Sequence, residues 1–75
     1  MTPEKFKGIV RAVITVKEAP LSSFGDAKLN ALAREYSVGK TDIAGAIAAL
    51  QSLFADNFKI DRHDYDEIEK RLERS

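Results

Sequence analysis

The chain has 75 residues, of which 32% are charged and none is cysteine. A chain this short forms one domain near the lower limit at which a hydrophobic core alone holds a fold, so we predict a single domain over residues 1–75. Without cysteine there is no disulfide, no thiol chemistry and no cysteine-based zinc site. Twelve Lys and Arg balance twelve Asp and Glu. Most nucleic-acid-binding domains are far more basic, so this neutrality weighs against strong binding to DNA or RNA.

The N-terminal segment differs from a targeting sequence. Its first five residues, Met-Thr-Pro-Glu-Lys, lack the charge pattern of a signal peptide, and Arg11 interrupts the apolar run from Gly8 to Val16. No run is long enough to cross a bilayer. We therefore expect a cytoplasmic protein that makes no contact with a membrane.

A first helix is predicted to begin at Pro3, with Thr2 as its N-cap, because proline is favoured at the first helical position. A broad apolar face follows at helical spacing, formed by Phe6, Ile9, Val10, Val13, Ile14 and Val16. The β-branched residues at 13–16 also keep a strand over 9–16 as an alternative. Residues 19–25 read as a loop, because Pro20 ends the helix and Gly25 permits unusual backbone angles.

Two further helices are predicted in the middle of the chain. The second runs from about Asp26 to Tyr36 and ends at the break formed by residues 37–39. The third begins near Lys40 or Thr41, either of which would cap it, and Asp42 in its first turn complements the helix dipole. It ends at residues 56–57.

The third helix contains thirteen residues without a charge, Ile43 to Ala55. One face carries Ile43, Ala46, Ile47, Leu50, Leu53 and Phe54. The opposite face carries Ala44, Gly45, Ala48, Ala49, Gln51 and Ser52, where a surface helix usually has Lys and Glu. Either a second helix of the same chain covers these small residues, or they form an interface with a partner or a second copy.

The C-terminal part is predicted to contain a short extended or strand-like segment at 58–60 and a fourth helix. Asp61 is its N-cap with Asp64 three residues later, and Ile60 with Tyr65 forms a hydrophobic staple. Tyr65, Ile68 and Leu72 give this helix a thin apolar stripe. The fold class is therefore all-α, a small bundle of about four helices.

A motif covers residues 32–46, Leu-Ala-Arg-Glu-Tyr-Ser-Val-Gly-Lys-Thr-Asp-Ile-Ala-Gly-Ala. Ala33 lies where two helices would touch, Tyr36 and Val38 flank a tight turn, and the apolar positions Ile43 and Ala46 follow. This pattern resembles the helix-turn-helix of bacterial transcription regulators. The resemblance implies a second helix in the major groove of DNA, with Gly39, Lys40, Thr41, Asp42 and Gly45 facing outward. The same geometry also serves as core packing without any DNA.

Other patterns favour a protein that binds without catalysis. The acidic residues of 56–67 read as helix capping rather than a calcium loop, and His63 stands alone, so we expect no enzyme activity, metal or cofactor. The function predicted is a small regulatory or adaptor protein that binds another protein or itself. Its candidate surfaces are the small-residue face (Ala44, Gly45, Ala48, Ala49) and the cationic face of the first helix (Lys7, Arg11). The alternative is a dimeric helix-turn-helix regulator that binds DNA through residues 39–42.

Overall fold

The structure is a computed structural model that describes residues 1–19, 21–57 and 59–75. It contains four α-helices: α1 (Pro3–Val16), α2 (Ser23–Ser37), α3 (Ile43–Leu53) and α4 (Arg62–Arg74). The described residues form no strand, so residues 9–16 are helical, and Lys59 and Ile60 are not a strand. Phe58, the first residue of the predicted segment, lies outside the described residues. The all-α prediction is confirmed.

The helices pack as a closed ring in which each contacts two others. Helix α1 packs against α2 and α4, and α3 packs against the same two helices. The apolar faces meet in one core, whose largest fully buried side chains are Phe6, Val10, Leu29, Leu50 and Ile68. Burial of such side chains contributes about 1.5–3 kcal/mol each and is the main force holding the ring together.

Helix α1 begins as predicted, because the Thr2 hydroxyl accepts a hydrogen bond from the Lys5 amide at 3.2 Å. It ends in a Schellman motif, in which the Ala19 amide donates to the Ile14 carbonyl and the Glu18 amide donates to the Thr15 carbonyl. Val16 is 80% exposed, so its place on the predicted apolar face is wrong. The reason is that Val16 lies about 100° around α1 from the centre of the buried residues Phe6, Val10, Val13 and Ile14, outside the face that packs on the core.

Helix α2 begins at Ser23, three residues before the predicted start at Asp26. The Ser22 hydroxyl caps it by accepting a hydrogen bond from the Gly25 amide at 3.1 Å. Gly25 is buried in the first turn, where a Cβ would lie 3.2 Å from Leu21 Cδ2. This glycine therefore permits the close approach of Leu21 and does not mark a loop.

The turn between α2 and α3 is built from a Schellman motif and an N-cap. Gly39 has a positive φ of 80°, and the Lys40 amide donates to the Glu35 carbonyl at 2.9 Å. The N-cap of α3 is Asp42, so the predicted caps Lys40 and Thr41 are wrong. The Asp42 carboxylate accepts from the Gly45 amide at 2.7 Å, and a charged oxygen at this position also complements the helix dipole.

The end of α3 differs from the prediction, whereas the start of α4 agrees with it. Helix α3 ends at Leu53 with Phe54 as its C-cap, before the predicted end at 56–57. Helix α4 begins at the predicted N-cap Asp61. Asp61 and Asp64 form a capping box, in which the carboxylate of each accepts a hydrogen bond from the backbone amide of the other. Ile60 and Tyr65, the two residues of the predicted staple, are both buried.

Candidate protein-binding surface

The small-residue face of α3 is exposed in the folded chain. Ala44, Ala48 and Ala49 are exposed, as are Gln51 and Ser52, and Gly45 is half-buried. The opposite side of the helix faces the core through Ala46, Ile47 and Leu50. Helices α1 and α4 therefore leave this face open, and no charged side chain projects from it between Asp42 and Asp56.

Gly45 belongs to the cap of α3 as well as to this face. A Cβ at position 45 would lie 2.3 Å from Thr41 Oγ1 and 3.2 Å from Asp42 Oδ1. The half-buried Thr41 hydroxyl therefore fills the space that a side chain would need. Gly45 has a structural reason to be glycine, and Ala44, Ala48 and Ala49 are the members of the predicted set that a partner can reach.

A groove between α2 and α3 borders this face. Its lining includes Phe24, Lys28 and Ala31 from α2 and Ala49, Ser52 and Leu53 from α3. The Phe24 ring is 70% exposed, and the Lys28 ammonium lies 4.5 Å from its centroid in a cation–π contact. Sequence reasoning missed this groove because it placed Phe24 in a loop. The pair Ser22 and Gly25, read as an N-cap and a first helical turn, is the signal that could have placed Phe24 on α2.

On the cationic face of α1, Arg11 forms a contact within the chain. The Arg11 guanidinium forms an ion pair with the Asp26 carboxylate, and this hydrogen bond lowers the pKa of Asp26. The charge of Lys7, a half-buried side chain, lowers the same pKa further. Arg11 therefore connects α1 to α2, although its side chain stays partly exposed.

The residues that the helix-turn-helix resemblance assigns to DNA lie in the α2–α3 turn. Gly39 follows the end of α2, and Asp42 is the N-cap of α3. Between them, Lys40 is exposed and Thr41 is half-buried. Val38 flanks this turn, but it is 70% exposed and therefore does not pack beneath the turn. No Lys or Arg occurs from residue 41 to residue 57, so Lys40 is the last basic residue before α3 and α3 itself carries none.

A polar cluster connects the end of α1 to the start of α4. The Lys17 ammonium lies 3.6 Å from Asp64 Oδ2 and 3.8 Å from Asp61 Oδ2. Asp64 is only 5% exposed. The Asp64 amide that donates to Asp61 lowers the pKa of Asp61, while burial, aided by the charge of Asp64, raises the pKa of Tyr65. Lys17, Asp61 and Asp64 are partners of one another, which points to a structural role in joining the two helices.

The described ranges contain neither a metal-binding cluster nor a helix that could span a membrane. There, no group of three or more His, Cys, Asp and Glu side chains is arranged to hold a metal ion. His63 is exposed in the first turn of α4. None of the four described helices has both the length and the apolar character needed to cross a membrane.

Comparisons with known proteins give no relative. A scan against protein-family models, a search of curated proteins and a search of solved structures each find no match to this chain. The resemblance of residues 32–46 to a helix-turn-helix thus stays a prediction.

Proposed function

We propose that this protein is a small regulatory or adaptor protein that acts by binding another protein and not by catalysis. The observation that supports this most is the exposed face of α3, which carries Ala44, Ala48 and Ala49 and no charge. In a chain that is 32% charged, solvent-facing helix positions are ordinarily Lys and Glu. Charge depletion is the feature that distinguishes the centre of a protein interface from the rest of a surface.

The shape of this face suits a partner helix. Ala44 and Ala48 are four residues apart and lie on one line along α3, so they allow another backbone to approach closely. On the α3 side of the adjoining groove, Leu53 adds apolar area to this face. An amphipathic helix of a partner would place its apolar anchors against Leu53 while its backbone lies across the alanines.

The alternative function, DNA binding, has weaker support. Base recognition in the major groove needs long polar or cationic side chains, and phosphate binding needs several cations. Helix α3 offers Ala, Gly, Ser and Gln on its open face, with Lys40 alone before it. We expect no binding of mixed-sequence duplex DNA at micromolar protein in a low-salt anisotropy titration. Tight, salt-dependent binding that Lys40→Ala weakens would favour the helix-turn-helix function instead.

The test of the proposed function is affinity capture with a matched pair of variants. The protein is immobilised and exposed to an extract of the cells that encode it, and captured proteins are identified and purified for direct binding measurements. Ala48→Glu adds length and charge in the middle of the α3 face, so we expect it to abolish binding of the partner.

The control is Ala12→Glu, an identical change at an exposed position of α1. It should bind the partner like the original protein, and circular dichroism should show both variants to be folded. Equal binding by the two variants, or loss of binding in both, would show that the α3 face is not the binding surface.

A further inference from the structure

The outer face of α2 is exposed along the whole helix. Its exposed residues recur at helical spacing: Phe24, Ala27, Lys28, Ala31, Arg34, Glu35 and the C-cap Val38. Phe24 and Val38 are each 70% exposed, and they belong to the four large apolar side chains that the described part of the chain exposes. Apolar side chains exposed at both ends of one helix face suggest that something covers this face.

The two exposed apolar residues are placed symmetrically. Phe24 and Val38 are each seven residues from Ala31, and seven residues make two helical turns, so all three lie on one side of α2. At a rise of 1.5 Å per residue, Phe24 and Val38 are about 21 Å apart. A second α2 that runs antiparallel, with a two-fold axis near Ala31, brings Phe24 of each copy onto the Val38 turn of the other. The small Ala31 side chain lets the helices approach at the axis.

The charges on this face fit the same arrangement. Lys28 and Glu35 lie on the flank of α2 nearest α3, since both line the groove between these helices. They are seven residues apart, and the midpoint between them falls between Ala31 and Leu32, close to the proposed two-fold axis. In an antiparallel pair, Lys28 of each copy therefore lies beside Glu35 of the other. A parallel pair would instead place like charges side by side. Neither residue has an ion-pair partner within residues 1–19, 21–57 and 59–75.

We propose that the chain forms a two-fold symmetric homodimer by antiparallel packing of the outer faces of α2. In such an interface the same patch is used by both copies, and it must be complementary to itself. The outer face of α2 meets this requirement: its two ends are apolar, its centre at Ala31 is small, and Lys28 and Glu35 carry opposite charges. The inference goes beyond the proposed function. The dimer covers the α2 wall of the groove, and it leaves Ala44, Ala48 and Ala49 on the α3 face uncovered.

Charge exchange tests the dimer directly. Sedimentation equilibrium of the original protein at concentrations up to about 100 µM should show a monomer–dimer equilibrium. Lys28→Glu and Glu35→Lys each place like charges across the interface, so each should weaken dimerisation by about tenfold or more. The double variant Lys28→Glu/Glu35→Lys restores opposite charges and should dimerise within about threefold of the original.

Two controls separate the charge effect from other causes. Lys70→Glu makes the same charge change at an exposed position of α4 and should leave dimerisation unchanged. Ala48→Glu should also leave the dimer intact, so failure of the dimer and failure of the α3 binding surface are observed separately. A monomeric original protein, or a double variant that dimerises no better than the singles, would overturn the proposal.

Crosslinking tests the position of the two-fold axis. The chain has no cysteine, so Ala31→Cys introduces one thiol, and the two copies of it lie together at the axis. Mild oxidation should convert this variant to a disulfide-linked dimer. Ala48→Cys, on α3, should stay uncrosslinked under the same conditions. Crosslinking through position 48 but not through position 31 would place the interface on α3 and overturn the proposal.

Discussion

Glu18 is the one non-glycine residue with a positive φ, 53°, among the described residues. It holds the left-handed position of the Schellman motif that ends α1, a position where glycine is strongly favoured. At the equivalent position after α2 the chain has Gly39. The Lys59 ammonium donates to the Glu18 carbonyl at 3.1 Å and helps to hold this conformation.

We expect Glu18→Gly to stabilise the fold, because glycine removes the strain of a left-handed residue. The gain should be about 1 kcal/mol, the difference between that strain and the larger backbone entropy of glycine in the unfolded chain. For a domain of this size it corresponds to a rise in Tm of roughly 4–8 °C. Thermal denaturation followed by circular dichroism measures it. Glu18→Ala removes the charge but keeps the strain, so a similar gain in that variant would contradict the explanation.

Gly45 should be coupled energetically to Thr41. Gly45→Ala forces a methyl group against Thr41 Oγ1 and should cost about 1–2 kcal/mol of the free energy of unfolding. With Thr41→Ala present, the same change should be neutral or should stabilise by up to about 1 kcal/mol, because alanine is the better helix former. Chemical denaturation of the four proteins in this double-mutant cycle measures the coupling. Additive effects would show that Thr41 does not restrict position 45.

At the scale of elements, the ends of the helices depend on ionised carboxylates. Asp61 caps α4, and Asp26 joins α2 to α1 through Arg11. Folding lowers the pKa of both groups. Their contribution to stability is therefore complete above the ordinary pKa of aspartate, about 4, and is lost as the pH falls through the lowered values.

We expect the Tm of the protein to be steady near neutral pH and to fall as the pH drops below about 4, through the lowered pKa values of Asp61 and Asp26. The Asp26→Asn variant lacks one of the two carboxyl groups whose pKa is lowered by folding. It should therefore have a lower Tm than the original protein at pH 7 and a shallower decline in acid. Melting curves across this range measure both slopes. Parallel declines of the two proteins would show that the pair of Arg11 and Asp26 does not contribute to acid sensitivity.

The helix ends also show what the sequence could predict. Thr2 before Pro3 and Asp61 before Asp64 are local signals, because a cap acts within one turn, and both were predicted correctly. Ser22 and Asp42 are equally good caps but were passed over, since Gly25 and Lys40 suggested other boundaries. The α2–α3 groove could not be predicted, because its lining depends on how two helices pack. The exposure of the α3 face depended in the same way on where α1 and α4 lie.

At the scale of the whole molecule, a ring of four helices leaves each helix with one face toward solvent. Most of these faces carry charges, as expected for a domain that is 32% charged. The α3 face does not, and the α2 face pairs apolar ends with opposite charges. The core makes use of neither face, so both are available for binding, the first for a partner and the second for another copy.

The most direct test of the α3 face is an NMR titration. The protein, labelled with ¹⁵N, is mixed with the partner captured in the affinity experiment, and amide chemical shifts are followed residue by residue. We predict the largest changes at Ala44, Ala48 and Ala49 and along the adjoining groove, with little change in α1. Changes centred on Lys7 and Arg11, or on the turn at residues 39–42, would contradict the assignment of the α3 face as the binding surface.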